Sequence, residues 1–182
     1  MNLTKRSVKA MVRFVSTGWS TGSRIESDLK NLGVRPGGAV LVHSSLFSLG
    51  YVRGGAASVI KARLAVLGPG GTLVMPAHTW ECTEQGLRNF DSRKTPSCVG
   101  LIAERFRKMP GVRRSLHPTH SVVAIGPLAS ILTDGHEKCS APCGAGTPYE
   151  KLLNMGGQVL FLGVNLDSNT TFHAIEAIAG AS

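Results

Sequence analysis

Apolar positions along the chain fall into two rhythms. Residues 22–33 read GSRIESDLKNLG, where Ile25, Leu29 and Leu32 recur at helical spacing and Gly33 is a natural stop. After a VRPGG turn, Ala39 to His43 form an unbroken apolar run, the signature of a buried strand. Residues 56–67, AASVIKARLAVL, return to the helical period and end at Gly68-Pro69-Gly70-Gly71. Thr72 to Met75 are a second short strand, stopped by Pro76. This strand, helix and strand predict a βαβ unit with a parallel pair.

Residues 77–98 show no period and read as a long excursion of the kind that carries function. Helical spacing resumes over 99–108 and ends at Met109-Pro110-Gly111. Ser121 to Gly126 are strand-like, PLASILTDGH predicts a short helix, and Tyr149 to Leu153 predict another. Gln158 to Val164 carry the clearest strand pattern, followed by a polar loop and a helix starting near Thr170. No repeat or low-complexity linker breaks the pattern. The fold class expected is α/β: one domain with a mainly central β-sheet flanked by helices.

Composition narrows the picture. At 182 residues and 42% apolar, the chain suits one globular domain with a real core. No apolar run approaches bilayer length, and Arg13 interrupts the apolar part of the basic opening segment MNLTKRSVKAMVRFVSTGWS. A cytoplasmic protein with no membrane partner is the expectation. Net charge is +9, but it is unevenly spread: residues 116–182 hold two basic and five acidic residues, and everything basic otherwise lies before them. Aromatics are 5%, so a basic stripe interleaved with stacking rings, as nucleic-acid binding requires, is not expected. The polarity suits an anionic cofactor on one side and a cationic substrate on the other. Cys82, Cys98, Cys139 and Cys143 read as reduced thiols. His136, Cys139 and Cys143 cluster, but the second ligand pair of a zinc site is missing, so no metal is expected.

Four segments carry candidate chemistry. His43-Ser44-Ser45-Leu46-Phe47-Ser48 follows the first strand, where hydroxyls and backbone N–H groups either cradle a phosphate or pantetheine group or cap a helix. Arg113-Arg114-Ser115-Leu116-His117-Pro118-Thr119-His120 sets two arginines before a His-Pro turn, as anion donors or as a basic loop. Pro76-Ala77-His78-Thr79 ends the second strand and is weak alone. Asp167-Ser168-Asn169-Thr170-Thr171-Phe172-His173 leads into a helix on which His173 and Glu176 share a face at i and i+3. That segment reads equally as a helix cap or as a general base with its carboxylate. GxxxxGKS, GxGxxG, GxSxG and HExxH motifs are absent from the sequence.

The order VHSSLFSLGYVRGGA, GPGGTLVMPAHT, FDSRKTPSCVG, RRSLHPTHSVVAIGPLA, CGAGTPYEKL and VLFLGVNLDSNTTFHAIE closely resembles the antibiotic N-acetyltransferase family, which includes the aminoglycoside 3-N-acetyltransferases. The resemblance runs from about residue 25 to the end, leaving 1–24 as a basic N-terminal segment and 25–182 as the acetyltransferase-like domain. It implies the family's own α/β fold rather than the GNAT fold. It implies acetyl-CoA as donor and acylation of an aminoglycoside amine at the 3-N position, which would confer resistance. On it, the coenzyme A contacts fall on His43, Ser44, Ser45, Leu46, Ser48 and Thr79, and on Arg113, Arg114, Ser115 and His117. His173 matches the family's base, with Glu176 or Asp167 as partner. Family members continue past the point where HAIEAIAGAS ends this chain, so a module that binds coenzyme A but does not complete the acceptor site is the alternative expectation.

Overall fold

The structure is a computed structural model that describes residues 20–79 and 90–179. The basic segment expected over 1–24 lies mostly outside these residues, as does Cys82 in the excursion. The elements run α1 Gly22–Asn31, β1 Ala39–Ser44, α2 Gly55–Leu67, β2 Thr72–Pro76, α3 Leu101–Arg107, β3 Arg113–Arg114, β4 Val122–Ile125, α4 Ala129–Thr133, α5 Pro148–Asn154, β5 Gln158–Leu162 and α6 Thr170–Ala179. Short 3₁₀ turns occupy His136–Lys138 and Leu166–Ser168.

The strands form one mixed sheet in the order β3-β4-β2-β1-β5. The predicted βαβ unit is present: β1 and β2 pair in parallel, Ala39 opposite Thr72, with α2 as the crossover. β5 joins the other side of β1 in parallel, with His43 opposite Phe161. β4 and β3 add antiparallel strands beyond β2.

Alternation along the strands builds two cores, one on each face. Val40, Val42, Leu73, Met75 and Val123 point to the face covered by α1, α2 and α3. Leu41, Val74, Val122 and Ala124 point to the face covered by α4, α5 and Ala174 of α6. Runs buried on both faces lose the strict in-and-out alternation, which is why β1 and β2 read as continuous apolar stretches. Each fully buried Leu, Ile or Phe contributes about 1.5–3 kcal/mol relative to exposure.

Three local readings change in the folded chain. The helical face of α1 keeps Leu29 buried, but Leu32 falls at the helix end and is 62% exposed. α2 is buried more widely than a simple amphipathic helix, because it packs against the sheet, α1 and α3 together. Its core face even takes in Arg63, 2% exposed, whose three guanidinium nitrogens have no hydrogen-bond partner among the described residues. Burial pushes that group down to about 9. The Arg113-Arg114 pair is edge strand rather than loop. β5, the clearest strand in the pattern, is half-buried along its length, since among the described residues β1 alone pairs with it.

Candidate active site

The carboxyl ends of β1 and β2 and the segment after β5 converge at one edge of the sheet. They enclose a cleft of about 500 Å³, the size range of small-molecule sites. β1 delivers His43 and Ser44 to it, and the exit of β2 delivers His78. The turn before β4 brings His120, and the segment after β5 brings Asp167, Asn169, Thr170 and His173. Gathering at strand carboxyl ends is the general rule for α/β sheets. Gly163 makes the gathering possible: it turns the chain out of β5 at φ +71°, and a Cβ there would lie 2.9 Å from Cβ of Ser48.

The Asp167–His173 segment forms the expected helix cap, and His173 and Glu176 are in contact. Asn169 Oδ1 accepts the N–H of Thr171 at 3.1 Å and caps α6. His173 lies one turn further on, its Nδ1 3.2 Å from Glu176 Oε2, with the side chain largely exposed. A carboxylate can only accept, so Nδ1 carries a proton, and in the neutral imidazole Nε2 is the bare nitrogen. Asp167 lines the cleft and accepts from Asn165 Nδ2 at 3.2 Å, with no bond to His173. Of the two carboxylates expected as partner, Glu176 is the one in contact.

All six histidines of the chain fall in this region. His43 is buried and stacks on Phe161 with centroids 5.3 Å apart, and its Nε2 has no hydrogen-bond partner among the described residues. His78 Nε2 lies 2.9 Å from the hydroxyl of Tyr149, and its ring tilts against His120 at 4.8 Å. His117 stacks on His136 at 4.6 Å. Its Nδ1 accepts the backbone N–H of His120 at 3.1 Å, which fixes the turn. His136 Nε2 bonds the carbonyl of Pro142 and so carries a proton, leaving Nδ1 to accept from Ser115 at 2.9 Å. Both ring nitrogens of His136 are thus engaged within the protein.

Burial disfavours the charged form of His43, His78, His117, His120 and His136. It lowers His43 to about 4 and His136 to about 4. Burial and then the neighbouring His120 take His78 to about 3. His117 and His120 are also lowered, chiefly by burial. On the cleft wall the neutral imidazoles of His43, His78 and His120 therefore stand near the Asp167 carboxylate.

The other expected contacts are placed as follows. Ser45 lies in a turn, its Oγ accepting the N–H of Ser48 at 3.3 Å and its own N–H bonding Leu162. Leu46 packs against the α1–α3 core. Thr79 is buried, its hydroxyl donating to the Pro118 carbonyl. Ser115 is fully buried beneath His136. Arg113 and Arg114 line another cleft with Arg93, Arg107 and Lys108. Arg113 pairs with Asp134 at 2.8 Å. Arg114 donates to Ser121 Oγ and to the carbonyls of Ala77 and Thr95, and lies over Phe90. Sequence reasoning placed His78 and His120 in candidate segments without giving either a role, and it missed Tyr149. A histidine at a strand exit was a usable signal for His78; Tyr149, inside an ordinary helical turn, offered none.

A sequence profile described as aminoglycoside 3-N-acetyltransferase matches residues 41–182. The chain is 42% identical over 176 residues to aminoglycoside N(3)-acetyltransferase III of Serratia marcescens, covering 88% of this chain and 65% of that protein. The crystal structure of aminoglycoside acetyltransferase AAC(3)-IIb is similar with a TM-score of 0.80 and 41% identity, over 90% of this chain and 66% of that one. A binary complex of AAC-IIIb with CoASH is similar with a TM-score of 0.76 and 31% identity, over 87% and 65%. The chain belongs to the aminoglycoside 3-N-acetyltransferase family. It spans slightly less than two thirds of the length of the Serratia relative.

Proposed function

We propose that this chain transfers the acetyl group of acetyl-CoA to an amine of an aminoglycoside, at the 3-N position that names its relatives. The observation that carries the reading is His173 on the cleft wall, with Nδ1 held by Glu176 and Nε2 bare. The amine nitrogen attacks the thioester carbonyl, the C–S bond breaks, and coenzyme A leaves as its thiol. His173 takes the proton from nitrogen, Glu176 stabilises the resulting imidazolium, and the imidazolium returns that proton to the departing thiolate. Holding both reactants in one cleft supplies proximity, so a covalent acyl-enzyme is unnecessary.

Coenzyme A is assigned to the segment His43, Ser44, Ser45, Leu46 and Ser48, with Thr79, Ser115 and His117 behind it. The orphaned Nε2 of His43 and the hydroxyl of Ser44 at the cleft suit pantetheine amides. Arg113 is assigned to the phosphate end. The Arg113–Asp134 pair is exposed enough to open at small cost. The acidic half of the chain, with Asp167 at the cleft, suits a polycationic acceptor. Among the described residues no helix is long and apolar enough to cross a membrane. The reaction is assigned to the cytoplasm because it depends on acetyl-CoA.

The test is thiol release from acetyl-CoA on adding an aminoglycoside, with acetylated product confirmed by mass spectrometry. His173→Ala is expected to lower turnover by about 10²–10⁴-fold. Equal rates in the two proteins would remove His173 from the mechanism. The exposure of the His173 side chain, 72%, favours an alternative: a module that holds coenzyme A without completing the acceptor site. Calorimetric binding of coenzyme A with no product from any aminoglycoside would establish that alternative instead.

A further inference from the structure

The turn before β4 holds a small hydrogen-bond network that fixes one imidazole ring. His117 Nδ1 accepts the backbone N–H of Thr119 at 3.3 Å and that of His120 at 3.1 Å. The Thr119 hydroxyl lies 3.3 Å from the same nitrogen and 2.8 Å from His120 Nδ1. The Thr119 carbonyl accepts the N–H of Thr79 at 3.0 Å, which ties the turn to the exit of β2. His120 is half-buried, packs its ring against His78 at 4.8 Å and lines the cleft.

The network decides which nitrogen of His120 carries the proton. An imidazole nitrogen has one lone pair, and that of His117 Nδ1 already serves two backbone donors. The Thr119 hydroxyl therefore gives its single hydrogen to the nearer His120 Nδ1, at a normal length for an O–H donor. His120 Nδ1 is then an acceptor, and in the neutral ring the proton sits on Nε2. That nitrogen has no hydrogen-bond partner among the described residues. Burial, and then His117 and His173, disfavour the charged ring. His120 thus offers the cleft a neutral N–H whose tautomer is set by the protein.

We infer that His120 Nε2 donates to the carbonyl oxygen of the acetyl thioester and stabilises the oxyanion that forms when the amine attacks. The inference rests on the amine-acylation reading above and deepens it. Donor chemistry selects the acyl group over the amine. An alkylammonium brings only N–H donors, which another N–H cannot hold, and the lone pair of the free amine is the attacking one. A thioester carbonyl brings only lone pairs. As the N–C bond forms, the C=O π pair moves onto oxygen, and the hydrogen bond from His120 strengthens. The pair returns as the C–S bond breaks, and His120 keeps its proton throughout. The described cleft lining includes no lysine or arginine to stabilise that oxygen by charge. A neutral imidazole N–H polarises a carbonyl without surrendering its proton, which leaves proton transfer to His173. Thr119 is a positioning residue that acts through His120.

Nitrogen-15 NMR of the histidine-labelled protein reads the tautomer without any turnover, with His120 assigned by the signal lost in His120→Gln. A proton on Nε2 and a bare Nδ1 are expected; the reverse overturns the inference. Infrared spectra of bound acetyl-CoA, carbon-13 labelled at the carbonyl, read the contact with no acceptor present. The carbonyl stretch is expected to rise in His120→Ala and to return most of the way in His120→Gln, whose amide N–H takes the place of Nε2–H. With an aminoglycoside, His120→Ala is expected to lower kcat by about 10²–10³-fold. Acetyl-CoA affinity should stay within about threefold, because the bond is strongest to the oxyanion. Thr119→Val is expected to lower kcat by about threefold to tenfold, and to cost nothing more when added to His120→Ala. A stretch unmoved in His120→Ala, or losses that add in the double variant, would overturn the inference. If the stretch moves as expected and no acetylated product forms, the acylation reading fails and the carbonyl contact stands. If product forms and the stretch does not move, the inference fails and the acylation reading stands. A wild type that binds no acetyl-CoA overturns both.

Discussion

Two clefts of nearly equal size lie on this domain, about 500 Å³ and about 490 Å³. One is walled by neutral histidines, hydroxyls and a carboxylate. The other is walled by Arg93, Arg107, Lys108, Arg113 and Arg114. By charge alone the arginine-lined cleft would be the anion site. Its cations, however, are mostly occupied by the protein. Arg107 and Lys108 both bond Glu104, at 2.7 and 2.8 Å. Burial alone would raise Glu104, but hydrogen bonds from Arg107, Lys108 and the Ser97 N–H outweigh it and bring it to about 2. Arg114 ties β3 to the end of β2 and to residues 92–95. The histidine-walled cleft keeps a bare histidine nitrogen and an orphaned one. Unspent hydrogen-bonding capacity, more than volume or charge, separates a reactive cleft from a structural one.

The largest stability effect that would break this comparison is expected at Arg114. Arg114→Met should destabilise by about 2–4 kcal/mol, because the carbonyls of Ala77 and Thr95 lose a charged donor. Denaturant unfolding measures it, and a loss below about 0.5 kcal/mol, the scale of an ordinary surface change, would mean the arginine is free for a ligand after all.

Arg63 sharpens the contrast from the other side, as a buried cation with no partner among the described residues. Arg63→Met is expected to stabilise by about 1–4 kcal/mol, since a hydrophobe of similar length removes an uncompensated charge. The sign with pH follows from linkage. The folded-state value is lowered to about 9, so above it the unfolded chain binds the extra proton. Stability of the wild type then rises with pH beyond about 9, and the gap to Arg63→Met narrows there. A gap that widens in alkali would contradict the unpartnered burial.

Arg113 should give the smallest effect. Its pair with Asp134 is about half exposed on both sides, so Arg113→Ala is expected to change stability by less than about 1 kcal/mol. If Arg113 also serves the phosphates of coenzyme A, the Michaelis constant for acetyl-CoA rises while stability stays put. Separate thermal melts and initial-rate kinetics on the same variant distinguish the two.

Much of the fold was legible in the order of residues alone. The two-face burial of β1 and β2 is written in their unbroken apolar runs, and Gly68 and Gly33 mark the ends of the helices they follow. The i and i+3 spacing of His173 and Glu176 foretold their contact, because a helix brings such residues together whatever surrounds them. The Asn169 cap is equally local. The family itself was readable from the order of its motifs and is matched over residues 41–182.

What the amino-acid sequence determined by itself was therefore whatever depends on neighbours a few residues away: periods, caps, turns and one histidine–glutamate pair. Tertiary structure alone decided which side chains have partners. His78 meets Tyr149 across 71 positions and Arg114 meets Ala77 across 37. Those meetings follow from strand order and helix packing, which no local spacing encodes. Both basic and histidine-rich motifs stood out in the chain, and only the packed sheet revealed that the arginines were largely spent and the cleft histidine His173 was not. The reason is physical: a hydrogen-bonding group is available only if burial has not already satisfied it, and burial is a property of the whole fold.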